Sequence, residues 1–147
     1  MAARQPEPPR RGAVGWSIIL IAALFLVSAV LHFVMPLPYE RIVPQWLPNA
    51  PLIVQLSGIA EFAGAMGVLW RRTRRAAGWG LILLLVFVFP ANVEMLRQAR
   101  VAEAALSWQA VLWLRLPLQG ALIWWVWRSA ARPPILAASR QSHASTA

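Results

Sequence analysis

The sequence predicts an all-α membrane protein: a bundle of four transmembrane helices, with both termini cytoplasmic and a proline-rich outer loop between the first two helices. Three observations carry this. First, 59% of the 147 residues are hydrophobic and the mean hydropathy is +0.57, more apolar surface than a core of this size can bury. Second, the apolar residues gather into four runs, each long enough at ~1.5 Å per residue to cross a ~30 Å hydrocarbon layer. Third, the arginines and tryptophans concentrate at the ends of those runs, where the boundary between lipid and water places them.

Residues 1–12 hold Arg4, Arg10 and Arg11 among three prolines without apolar periodicity, and read as a disordered basic flank. A membrane domain follows over 13–128. Its first span covers 13–35, which is longer than a signal-peptide core and lacks a clear cleavage site, so it reads as a retained anchor. Residues 36–51 contain five prolines with Tyr39, Trp46 and Leu47, a composition that forbids a regular helix and suits the membrane surface. The second span covers about 52–70 and ends at Arg71, Arg72, Arg74 and Arg75, read as topological anchors. The third covers 76–96. A polar link from Arg97 to Ser107 leads to the fourth span, 108–127, and residues 129–147 read as a disordered tail.

Four spans put the termini on one side, and that side collects most of the arginines, so the positive-inside rule makes it the cytoplasm. The location is then the cell membrane, multi-pass, of the bacterial inner-membrane type. The tryptophans divide into two belts that agree with this topology. The net charge of +9 is explained by the membrane rather than by nucleic acid. The absence of cysteine excludes thiol relays, disulfides, thiolate-held iron–sulfur clusters and Cys-type zinc sites. Two histidines, one in the polar tail, cannot supply both axial ligands of a haem, and no metal is expected.

The polar residues inside the spans carry the functional signal. Glu61 stands in an apolar run, flanked at helical spacing by Ser57, Gly58, Gly64 and Ala65, so another helix must lie against its face. Ala60, Ala63, Gly64 and Gly67 read as helix-packing positions. A charge at membrane depth costs on the order of 3 kcal/mol, and such groups turn inward towards a partner. Arg115 is the expected partner of Glu61. Gln119 lies one turn below Arg115, and His32 lies near the outer end of the first span. Asn92 follows Pro90, which frees the carbonyl of Val86; Pro117 likewise frees that of Trp113. Glu94, two residues from Asn92, points away from it on an ideal helix, so that one of the two faces the interface or pairs locally with Arg97, and Arg115 has Glu94 as an alternative partner to Glu61. Glu61, Asn92, Arg115, Gln119 and His32 are therefore the candidate ligand-binding residues, in a pocket opening outward, with Glu61 the candidate proton-exchanging acid.

The set His32-Phe33, Pro36, Tyr39, Val43-Pro44, Leu47-Pro48, Ser57-Gly58, Glu61 and Gly64 resembles the DoxX family of small four-helix membrane proteins, in its DoxX-like branch. The resemblance continues through Arg74-Arg75, Phe89-Pro90-Ala91-Asn92, Met95 and Arg115-Leu116-Pro117-Leu118-Gln119, and covers roughly residues 15–128. It implies association with membrane redox complexes, since the family is named for a subunit linked to a thiosulfate:quinone oxidoreductase. It brings no catalytic assignment, and the thiol chemistry of some relatives does not transfer to a chain without cysteine.

Three functions follow as expectations. The first is a redox-associated accessory subunit, not an enzyme on its own, whose pocket holds a quinone; Arg115, Gln119 or His32 would donate to its carbonyls and an extracytoplasmic or membrane oxidoreductase would be its partner. The second is a non-enzymatic assembly or structural component in which the Glu61–Arg115 cluster is packing glue. The third, a small-solute binding or permeation protein, needs a polar path that the cytoplasmic half of the spans lacks.

Overall fold

The computed structural model describes residues 15–132; the N-terminal flank and the part of the C-terminal tail from residue 133 on lie outside the described residues. All the regular secondary structure of the described residues is helical: α1 (Trp16–Val34), α2 (Pro36–Glu40), α3 (Ala50–Leu69), α4 (Arg74–Val101) and α5 (Leu106–Val126), continued by a π-helical turn at Trp127–Ala131. Four of the helices are long and apolar enough to cross a membrane, so the protein is a membrane protein by length and composition. Their outward faces carry Leu24, Leu83, Phe87, Leu114 and Leu118, all about half exposed or more, which only lipid would solvate favourably.

The order of packing is sequential. α1 packs on α3, α3 on α4 and α4 on α5, while α1 and α5 scarcely touch. α1 turns one stripe inward, Ile18, Ile21, Ala22, Phe25, Ala29 and His32, at the three- and four-residue spacing of a helix face. Its first four residues, Ile18, Ile21, Ala22 and Phe25, join Ala65 and Val68 of α3 and Leu81, Ile82 and Leu85 of α4 in the main core. Close approach is made possible by glycine. A Cβ on Gly64 would fall 2.3 Å from Leu81 Cδ2, and one on Gly58 would fall 3.0 Å from His32 Cβ and from the Phe33 ring. Gly64 is thus a packing position, and Gly67 faces Ala77, but Ala60 and Ala63 are exposed on the outer face. Their small size made them look like contact residues; a helix in lipid tolerates alanine on either face, so size alone does not assign one.

Four other details correct the sequence reading. The proline-rich segment does contain a helical turn, α2, because Pro36 sits where an N–H would lack an intrahelical partner anyway. The third span extends past residue 96 to Val101, its last turns held on the exposed side by the ion pair of Glu94 with Arg97 and on the inner side by Leu96 and Ala99 against Leu112. The fourth helix likewise extends beyond residue 128, as Ala130 and Ala131 are buried against Gly78. Finally, Arg74 is more than a topological anchor: its Nε donates to Val68 O at 2.8 Å and caps the end of α3, where Thr73 Oγ also donates to Gly67 O at 2.8 Å. α3 is capped by Asn49, whose left-handed backbone (φ 56°) suits asparagine and whose Oδ1 accepts from Leu52 N at 3.3 Å.

Candidate functional site

One cavity of about 320 Å³ lies between α1, α3, α4 and α5, towards the end of the bundle opposite the Arg71–Arg75 connection. His32, Glu61, Asn92, Arg115 and Gln119 all line it. Residues 36–49, connecting α1 to α3, form its cover, contributing Tyr39, Ile42, Val43, Pro44 and Leu47. Ser28 and Ser57 also line it, and the rest of the walls are apolar.

The polar groups divide into two sets. On α4 and α5, Asn92 Nδ2 donates to Gln119 Oε1 at 2.9 Å, and Gln119 Nε2 donates to Leu85 O. This bond occupies the carbonyl next to the Val86 carbonyl that Pro90 frees. A buried amide pair thus cross-links the two proline-containing helices, and the Gln119 donor aimed at Leu85 is committed to protein. Its two residues are buried.

The second set joins α1 to α3. His32 Nδ1 donates to Ser28 O at 2.8 Å, so that nitrogen carries a proton. The ring stacks on Tyr39 with centroids 4.0 Å apart. Glu61 Oε2 lies 3.5 Å from the same Nδ1, yet has no hydrogen-bond partner although it is buried. Ser57 Oγ, one turn before Glu61, is also buried without a partner. Buried oxygens of this kind are costly, at about 1–3 kcal/mol each, unless a ligand or water satisfies them.

The expected Glu61–Arg115 ion pair is absent among the described residues. Glu61 Oε2 lies 3.5 Å from His32 Nδ1, and Arg115 Nη1 is directed at Met95 Sδ, 3.9 Å away, a weak acceptor. α5 packs on α4 rather than on α3, so the two charged side chains face the cavity from different walls. Nor does Arg115 pair with Glu94, whose carboxylate holds Arg97 at 2.6 and 2.8 Å, as its spacing predicts. Sequence reasoning gives no site role to Tyr39 or to Ser57. The signals were the solitary tyrosine in a proline-rich loop and a serine one turn from the buried acid, both too common to single out.

Residues 21–130 match the family described as a domain of unknown function (DUF8561). The chain belongs to the DUF8561 family. Within this DUF8561 chain the matched region takes in the cavity and every residue of both polar sets. No curated protein and no solved structure matches it.

Proposed function

We propose that the cavity is a binding site for a quinone headgroup and that the chain is a DoxX-like accessory component of a membrane redox system, with its termini cytoplasmic and the cavity in the outer half of the bilayer. The observation that carries this reading is the orphaned Glu61 Oε2, buried at the wall of a cavity whose facing wall bears Arg115. A carboxylate and a guanidinium held apart across an apolar space are complementary to a small ring with an acceptor at one end and a hydroxyl at the other. Arg115 donates to the carbonyl end. Glu61 receives or returns the proton at the hydroxyl end, with Ser57 beside it. Because its Nδ1 proton is committed to Ser28, His32 serves to position the acid and to pack Tyr39 rather than to donate to the ring. The partner oxidoreductase would supply or remove the electrons.

A second reading has its own support: the Asn92–Gln119–Leu85 chain is satisfied internally and can hold α4 to α5 with no ligand. A structural component would need nothing more from these residues. The two readings separate by mass spectrometry and absorption spectroscopy of protein extracted with its native lipids, comparing wild type with Arg115→Met. A quinone held by wild type and lost from the variant is the expected result. Bulk lipid alone in both preparations overturns the quinone reading in favour of the structural one.

A further inference from the structure

Four helices in sequential packing make a closed bundle only if the first also packs on the last. Here that fourth side is open. α1 and α5 scarcely touch along their length, and α1 meets the end of the chain only at the Trp127–Ala131 turn, where Ala130 and Ala131 join the core that contains Ile18 and Ile21. Further along the bundle the place of an α1–α5 contact is taken by the cavity, lined on one side by Leu24 and Ser28 and on the other by Leu118 and Leu122. Leu24 and Leu118 are also about half exposed on the outer face, 47% and 56%, so these two side chains border both the cavity and the lipid.

The end of the cavity nearer the membrane surface is built in the opposite way. The connecting segment that covers it is apolar at Ile42, Val43 and Pro44, and it is tied down at two points: Tyr39 stacks on His32, and Arg41 O accepts from Gln98 Nε2 of α4 at 2.9 Å. A water-soluble ligand would have to displace this cover. A ligand already dissolved in the bilayer would not.

We infer that the site is entered sideways through the α1–α5 seam, and that its ligand is an amphiphile whose polar head reaches Glu61 and Arg115 while its apolar tail stays in the lipid between Leu24 and Leu118. This rests on the quinone reading and narrows it to tailed quinones. The two side chains that border the lipid there, Leu24 and Leu118, are apolar and uncharged, with Ser28 one turn further along α1, which favours a hydrocarbon or prenyl chain between them over a charged headgroup.

The absence of native cysteine gives a test that avoids misfolded variants. Leu118→Cys is folded first and then alkylated with pyrene maleimide; Leu114→Cys, on the lipid face but outside the cavity lining, is the control. Binding of a decyl-substituted benzoquinone and of the same ring without a tail is measured by calorimetry in one detergent, before and after labelling. The expected result is a loss of about tenfold, about 1.4 kcal/mol, for the decyl compound on labelled Leu118→Cys alone. The tail-less ring should bind it as before. Unchanged binding of the decyl compound overturns the seam, and so does an equal loss of both compounds, which would mean the label fills the head site. Failure of both rings to bind the unlabelled protein refutes the quinone reading itself, and takes this inference with it, before any label is added.

Discussion

His32 Nδ1 lies 3.5 Å from Glu61 Oε2 while its proton is given to Ser28 O at 2.8 Å. The nearest cation-forming group to the buried acid is therefore pre-engaged. Gly58 sets this geometry, because any side chain there would push against His32 Cβ and Phe33 at 3.0 Å. Two helices are thus brought to a spacing at which the acid is covered while its Oε2 has no hydrogen-bond partner.

Glu61→Gln should leave the thermal midpoint in detergent unchanged or higher, because it replaces a buried carboxylate, one oxygen of which lacks a partner, by a neutral amide of the same shape. It should abolish quinone binding. Retention of full binding in the variant would show that the carboxylate has no part in holding the ligand.

The separation of Glu61 from Arg115 makes a second prediction. In a double-mutant cycle, Glu61→Gln and Arg115→Met should add within about 0.5 kcal/mol, as for sites without a shared contact. His32→Phe and Glu61→Gln, by contrast, should show a coupling above that value, since their side chains meet. Rescue of Glu61→Gln by Arg115→Met in chemical unfolding would contradict the geometry.

Asn92→Leu should cost about 1–3 kcal/mol, because it strands Gln119 Oε1 in a buried position. Gln119→Leu should cost a similar amount by stranding Asn92. Together the two should cost much less than their sum, since replacing both partners leaves no orphan. Thermal unfolding of the three variants decides it.

Gly78→Ala should destabilise by about 1–3 kcal/mol, as overpacking does. Its added Cβ would lie 2.9 Å from Ala130 Cβ and 3.0 Å from the backbone nitrogen of Ala131, which cannot rotate away. Gly80→Ala, where nothing lies within 4 Å, should cost nothing and may be used as the matched control in the same melts.

Tyr39, in the segment outside the spans, has its phenol pushed above 10.0 first by burial and then by the nearby Glu61 charge, against a lowering by Arg115. It is the sequence's one tyrosine, so phenolate absorbance reads it alone. The native midpoint should exceed 10.0 and fall back towards it on unfolding. The raised folded value also fixes the sign of the linkage: the stability contribution is complete below the unfolded value near 10.0 and is lost as pH rises through the folded one. Tyr39→Phe should remove that alkaline loss from the melting curve.

The four spans, and the inward turn of Glu61, His32, Asn92 and Gln119, were legible in the sequence because they follow from local quantities: the length of an apolar run, and the cost of an isolated polar group in lipid. Glu94 with Arg97 was legible as one of two alternatives, since partners three residues apart on one helix need no tertiary information, and the structure shows that pair. The partner of Glu61 was not. Matching Glu61 to Arg115 by depth assumed that any two helices of the bundle can meet, whereas the chain packs α1 on α3 and α5 on α4, which gives the acid to His32 and leaves the arginine across a cavity. Likewise the extension of the last helix to Ala131 depends on Gly78, some fifty residues earlier in the chain, offering a surface flat enough to receive it. Sequence by itself determined which segments enter the membrane and which polar groups must be sheltered there, because those costs are paid residue by residue. Only the tertiary structure decided who shelters whom, and which side of the bundle stays open, because both depend on the order in which helix faces meet.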